Sequence, residues 1–461
     1  MVNPTKTKAG SYSYRCASDV VFPGEEGEIK ASDATLKQLW KVHSYFDAQS
    51  FLMFKFLSGN NFSVNKKISH PYYHRLMQYN FNKFFLEEKG YKIVDELWEE
   101  ESNFSVPTRE SIAISLTESF SSLSQGIIFL ENENEKVVIK VEERDYDDRY
   151  RYEIWHTCDF DILDEWEKYS RNHNFYKGKK INGNCDFLEL DESLTWDDVI
   201  LTDEVRKVIS SSVDGLLEVR DILSKNGFSI KRGLILTGPY GTGKTMICKV
   251  LANEMNVSVI YVLPSHIKNV KDIGRICDMA RDLSPSLLIL EDIDYLAQER
   301  DDENSWSVIE LMNRLDGIEK FNDVITVATT NKLEKVEKAV RNRPGRFDKV
   351  ITINKPDCDL RREMLDLFTK DLELYKDVDM DLLVKKTYNM SGAYIHHLVA
   401  AAAAEAAFDK SYNEKQKLKL KKNHFDTVLE VLNDKEFSSF VEESGRRTKV
   451  GFQSQIPEDN D

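Results

Sequence analysis

At 461 residues the chain is too long for one ordinary hydrophobic core, so two to four domains or subdomains are expected. Hydrophobic residues make up 41% of it, with 24 Phe and 19 Tyr, which supplies globular cores and excludes global disorder. A net charge of −16 argues against a general nucleic-acid or anionic-membrane binder. Six cysteines, at 16, 158, 185, 248, 277 and 358, are scattered without zinc-like or disulfide-like spacing, as in a reduced intracellular protein. No apolar run of roughly 18 residues, the length of a membrane span, occurs. Met1 to Lys6 is not an apolar signal segment, and a cytoplasmic location is expected.

Residues 1–30 are polar and turn-rich and are expected to be a flexible N-terminus. Residues 31–185 then predict an α+β module that couples to the region C-terminal to it or receives a client. Helical spacing of Leu36, Leu39, Trp40, Phe46, Phe54 and Leu57 predicts a helix over 35–57, and that of Leu76, Tyr79, Phe84 and Phe85 a helix over 71–89. Aromatics with interspersed Lys could stack on bases, but the acidic surroundings favour aromatic core packing. His70 and His74 are four apart, as two metal ligands on a helix can be. Pro71 biases His70 away from helical geometry and no third ligand is in view, so structural or surface histidines are favoured. From residue 126 the period changes. Gly126–Leu130, Lys136–Val141 and Arg149–Trp155 predict strands, and 160–172 a helix.

The next region, 186–355, is organised around Gly238-Pro-Tyr-Gly-Thr-Gly-Lys-Thr245. An apolar run, Leu234–Thr237, precedes it, and a helical pattern with Ile247, Val250 and Leu251 on one face succeeds it. That strand–loop–helix setting is what a phosphate-binding loop requires. Gly238, Gly241 and Gly243 allow close backbone approach to a polyphosphate, and the loop N–H groups point at its oxygens. Lys244 supplies a mobile charge for the outer phosphates, and the Thr245 hydroxyl is placed to ligate Mg²⁺. A nucleoside triphosphate site is implied.

Further strands are expected at 257–262 and 287–290, the second ending in Glu291-Asp-Ile-Asp294. One carboxylate there can hold Mg²⁺ while its neighbour accepts a proton from an attacking water. The strand at 324–328 ends in Thr329-Thr-Asn331, whose amide can orient that water or touch the γ-phosphate. Arg343 and Arg346 flank a Pro-Gly turn, from which a guanidinium can reach a neighbouring subunit's γ-phosphate.

These ordered motifs resemble the AAA branch of the AAA+ ATPases, from Leu194-Thr-Trp-Asp-Asp-Val-Ile200 to about residue 433. The resemblance implies an α/β P-loop core with a five-stranded parallel sheet flanked by helices. It also implies a helical lid, ATP and Mg²⁺ as ligands, and a homo-oligomeric ring, usually a hexamer. The stretch Gly238, Pro239, Tyr240, Gly241, Thr242, Gly243, Lys244, Thr245 and Met246 would then bind the phosphates. Asp198, Val199 and Ile200 would border the adenine together with Gly392 and Ala393 of Met390-Ser-Gly-Ala-Tyr-Ile395. Asn331 would be the sensor, and Arg343 and Arg346 the fingers acting in trans. Glu291 is assigned to the Mg²⁺ side with Thr245, and Asp292 to the catalytic base, with both carboxylates kept as metal candidates. The family's acidic pair is Asp then Glu. The inverted order here resembles that of the mitochondrial AAA translocase for the Rieske protein and many bacterial AAA proteins. The aromatic pore loop of polypeptide-threading members is replaced by Ser265-His-Ile-Lys-Asn-Val-Lys271.

Helices at 359–374, 382–387, 392–410 and 424–432 make 356–445 a helical lid subdomain, and 446–461 a disordered acidic tail. The expected function is a Mg²⁺-dependent ATPase ring that remodels a protein client. The alternative is a nucleotide-gated assembly scaffold that hydrolyses slowly.

Overall fold

The computed structural model describes residues 48–57, 62–100, 103–144, 149–227, 231–297, 323–334, 349–408 and 418–433. Short pieces at 5–6, 12–14, 311, 314 and 347 are also described. Two compact units emerge. The first contains residues 1–189, 255–289 and 309–324; the second contains 190–254, 290–308 and 325–461.

The first unit holds an antiparallel sheet. Its strands are β1 (Thr5–Lys6), β2 (Tyr12–Tyr14), β3 (Phe62–Ser69), β4 (Lys92–Glu100), β5 (Asn103–Ser105), β6 (Thr108–Ala113), β7 (Ser119–Glu131), β8 (Lys136–Arg144) and β9 (Arg149–His156). Their order is β1-β2-β3-β9-β8-β7-β4-β5, with β6 also pairing β7. The central strands are buried on both faces, because successive side chains point to opposite sides. Ile128 and Leu130 of β7 join Val137 and Ile139 of β8 in a cluster around Trp166, Phe84 and Phe85. Ile127 and Phe129 instead meet Val64, Val138, Met53 and Leu57 on the other face. Gly126–Leu130 is therefore continuously apolar.

Two helices, Pro71–Tyr79 and Ile162–Asn172, lie in this region. The single helix expected over 71–89 is interrupted near Asn80, whose side-chain amide donates to Leu76 O at 3.0 Å and His173 O at 3.1 Å. A wider π-helical segment, Asn82–Glu88, comes next. Of the helix expected over 35–57, Ala48–Leu57 is described and 35–47 lies outside the described residues. Strands β3 to β6 were not expected from the sequence. His70 caps the Pro71 helix by accepting the Tyr72 N–H, at 3.3 Å. His74 is fully buried, with Tyr152 Oη 2.7 Å from Nδ1 and Ser122 Oγ 3.1 Å from Nε2. Glu110 Oε1 also lies 3.4 Å from His74 Nε2, but among the described residues no cluster of three His, Cys, Asp or Glu could hold a metal ion.

Six described strands build the α/β part. In the first unit the order is β10 (Lys180–Asn182), β12 (Ser258–Val262), β13 (Ser286–Leu290); in the second it is β14 (Val324–Thr330), β11 (Lys231–Thr237), β15 (Lys349–Thr352). The pairs β10–β12 and β11–β15 are parallel. β10, a three-residue edge strand too short to carry a periodic signal, adds to the five strands that the family resemblance implies. Helices Lys244–Glu254 and Val270–Asp282 belong to this α/β layer. The lid helices Cys358–Thr369, Met380–Lys386, Gly392–Phe408 and Lys422–Asn433 share a core of Leu365, Ile395, Leu398, Ala402 and Phe425. The run Ala400–Ala404 stays helical because alanine has the highest helix propensity and lets neighbours approach closely. Among the described residues no helix is long and apolar enough to cross a membrane.

Candidate nucleotide-binding and hydrolysis site

The phosphate loop leaves β11 at Thr237 and enters a helix at Lys244. Two of its glycines are demanded by the surroundings. At Gly238, with φ +145°, a Cβ would overlap the carbonyl oxygen of Ile353, just after β15. At Gly241, with φ +73°, a Cβ would come within 2.6 Å of Ser391 Oγ and 2.8 Å of the Ala393 methyl. The Ala393 N–H donates to Gly241 O at 3.0 Å, so the first turn of the Gly392 helix lies directly on the loop. Thr242 Oγ1 closes the loop on Pro239 O at 2.9 Å. Lys244 is buried, its Nζ donating to Gly238 O and Pro239 O at 2.8 Å each. Burial lowers the Lys244 pKa, against the opposing pull of Asp292 and Asp294. Tyr240 is half exposed beside the loop, and Met246 lies in the first turn of the following helix.

Glu291 and Asp292 come directly after the wholly buried β13. They face different partners. The Thr245 hydroxyl donates to Glu291 Oε2 at 3.2 Å. Asp292 adopts φ +48°, a left-handed conformation uncommon for a residue with a side chain. Its N–H donates to Thr329 Oγ1 at 2.9 Å, and the Asn331 amide donates to its Oδ1 at 3.0 Å. Burial first, then the negative charge of Asp294, raises the Asp292 pKa; Lys244 and the Asn331 hydrogen bond oppose them. Asp294 is fully buried and accepts the Thr330 hydroxyl at 2.9 Å and the Asn331 N–H at 3.2 Å.

The structure thus brings Gly238–Thr245, Glu291, Asp292, Asn331, Gly392 and Ala393 into one neighbourhood. Asp198 closes the short turn Trp196–Asp198 by accepting the Thr195 N–H at 3.0 Å. Val199 is buried, and Ile200 packs against the lid core. Arg343 and Arg346 lie outside the described residues. Thr329, Thr330 and Ser391 went unassigned from the sequence. A hydroxyl one or two positions from a motif residue carries no signal until the chain places it.

The residues present suit a nucleotide with its metal. Glycines at 238 and 241 leave the loop backbone bare, and Lys244 offers a cation beside it. The Ser391 hydroxyl, buried next to Gly241, has no hydrogen-bond partner among the described residues. Glu291 with Thr245 is an oxygen donor pair of the kind that shares Mg²⁺ with phosphates, since Mg²⁺ seldom takes an all-protein cage.

Residues 234–355 match the family model for the ATPase family associated with various cellular activities (AAA). The match is confined to this segment, 122 of the 461 residues. Around it, 274 residues are 31% identical to proteasome-activating nucleotidase 2 of Haloferax volcanii, covering 56% of this chain and 63% of that protein. The ATPase family gene 2 protein of Schizosaccharomyces pombe is 28% identical over 255 residues, 54% of this chain and 31% of the relative. The cell division cycle protein 48 homolog of Archaeoglobus fulgidus is 30% identical over 223 residues, 46% of this chain and 30% of the relative. The chain therefore spans less than two thirds of the length of each of these relatives. The matched segment contains the phosphate loop, both acidic residues and Asn331. Residues 1–189, with their antiparallel sheet, fall outside the family match.

Proposed function

We propose that the protein is a Mg²⁺-dependent ATP hydrolase that assembles into a homo-oligomeric ring, most simply a hexamer, and remodels a protein client in the cytoplasm. The observation that carries this reading is the division of labour between adjacent carboxylates. Glu291 meets the Thr245 hydroxyl at 3.2 Å, and Asp292 meets the Asn331 amide at 3.0 Å. Glu291 and Thr245 would hold Mg²⁺, which supplies charge neutralisation at the outer phosphates when bound. Asp292, raised in pKa and held by Asn331, is placed to take a proton from water. Lys244 would compensate the negative charge of phosphates held by the loop. Asp198, Val199 and Ile200 would border the base, with Gly392 and Ala393 on the lid side. Arg343 and Arg346 would complete a neighbouring subunit's site.

The relatives' names, a proteasome-activating nucleotidase and a cell division cycle protein 48 homolog, support a protein client. The likeness of the Glu-Asp order to the mitochondrial translocase remains part of this proposal only as motif style. Residues 264–266 form a short turn in which His266 Nδ1 accepts the Leu263 N–H at 3.0 Å. No aromatic stands there, which favours remodelling without threading by aromatic paddles.

The test is ATPase activity per subunit against protein concentration, for wild type and Arg346→Ala. Specific activity should rise as subunits associate, and Arg346→Ala should lose roughly 10³-fold or more in turnover while still binding ATP. Flat specific activity with a silent Arg346→Ala would refute the shared-site ring.

A further inference from the structure

Asp294 is a fully buried carboxylate to which the function proposed above gives no task. A buried carboxylate is tolerated when its lone pairs are filled by donors. Here two donors come from consecutive residues at the end of β14: the Thr330 hydroxyl at 2.9 Å and the Asn331 N–H at 3.2 Å. Beside them run two more bonds between the same turn and strand end, from the Asp292 N–H to Thr329 Oγ1 and from the Asn331 amide to Asp292 Oδ1. Four hydrogen bonds therefore lock the acidic turn to the strand tip. The turn alternates, with residues 292 and 294 on the strand and Ile293 buried between them.

We propose that Asp294 and Thr330 are positioning residues for hydrolysis, fixing the backbone of Asn331 so that its side-chain amide stays on Asp292. The inference rests on the hydrolytic reading of the site. Asn331 is the last member of this set, just beyond β14, where a strand end frays and the amide can rotate. One carboxylate grips both the N–H of Asn331 and the side chain before it, which removes those freedoms before substrate arrives. Misplacing a reacting group by about 1 Å costs on the order of 10²-fold in rate. Neither residue needs to touch nucleotide to matter.

The experiment uses the full chain with Mg²⁺ and ATP, measuring kcat and the Kd of a fluorescent ATP analogue. Asp294→Ala and Thr330→Val should each lower kcat by about 10- to 100-fold while the analogue's Kd moves by less than about threefold. Thr330→Ser keeps the hydroxyl and should recover most of the turnover lost in Thr330→Val. The double variant Asp294→Ala/Asn331→Ala should be no slower than Asn331→Ala alone, because both remove one arrangement. Losses that multiply in the double variant, or Thr330→Ser as slow as Thr330→Val, would overturn the assignment, as would unchanged kcat. If Asp294→Ala melts early, the Thr330 pair carries the same comparison. A wild-type protein that binds ATP without turnover would refute the hydrolytic reading itself, and this inference would fall with it.

Discussion

The antiparallel module and the nucleotide site treat buried polar groups in opposite ways. In the module, His74 sits between Tyr152 and Ser122, and Asn174 donates to Tyr72 Oη at 2.7 Å. Such contacts tie helix to sheet. They are what a stable core needs. At the site, Lys244 rests on loop carbonyls, Asp292 has left-handed backbone, and three carboxylates lie within one four-residue turn. Like charges held together and strained backbone persist where the surrounding structure over-determines them. The contrast teaches that burial alone does not mark function; a lysine and three carboxylates gathered at one loop and turn do.

Removing packing should strike the first region and spare the second. Trp166 is fully buried against Phe81, Phe85 and Tyr152. Trp166→Ala should cost about 3–5 kcal/mol in chemical denaturation, with nucleotide affinity unchanged. A matching loss of affinity would dissolve the contrast. Gly241→Ala should do the reverse. Left-handed backbone and the approach of Ser391 and Ala393 make it costly by about 1–3 kcal/mol, expressed chiefly as weaker ATP binding in a titration and less as a lowered melting point.

The smallest effect sharpens the comparison through pH. Burial alone would raise the Glu167 carboxyl, but Lys67 and Arg171 outweigh it and hold its pKa below the usual carboxylate range. A lowered folded-state value stabilises the fold above the unfolded pKa, and that stability is lost as pH falls through the folded one. Glu167→Gln should therefore cost about 1 kcal/mol near neutral pH, with the difference from wild type shrinking on acidification below the ordinary carboxylate range. Arg171 also grips Asp282 through two bonds of 2.8 and 2.9 Å, joining the module to the end of the Val270–Asp282 helix. Melting curves across pH for both proteins measure the effect.

Much of the α/β layer was legible because its signals are local. Strands β12, β13 and β14 are short apolar runs, and each expected span falls within one or two residues of the observed one. The phosphate loop announces itself by glycines whose reasons are steric. The module was less legible. β4 and β6 mix charged and apolar residues without clean alternation; β4 is fixed by pairing with β7 beyond two intervening strands, and β6 by a hairpin to β7 across residues 114–118. β10 is three residues long and exists because β12 offers it an edge.

The sequence by itself determined that a phosphate loop lies between a strand and a helix, that carboxylates and an amide end two further strands, and that alanines build a lid helix. Each is a property of neighbours in the chain, set by propensity, period and backbone sterics. Tertiary structure alone decided that Glu291 turns to Thr245 while Asp292 turns to Asn331. It also decided that Ser391 lies against Gly241, and that Asp294 is buried under Thr330. Those outcomes depend on which distant segments pack together, and a hydrogen bond's partner is chosen by position in space, which residue order does not encode locally.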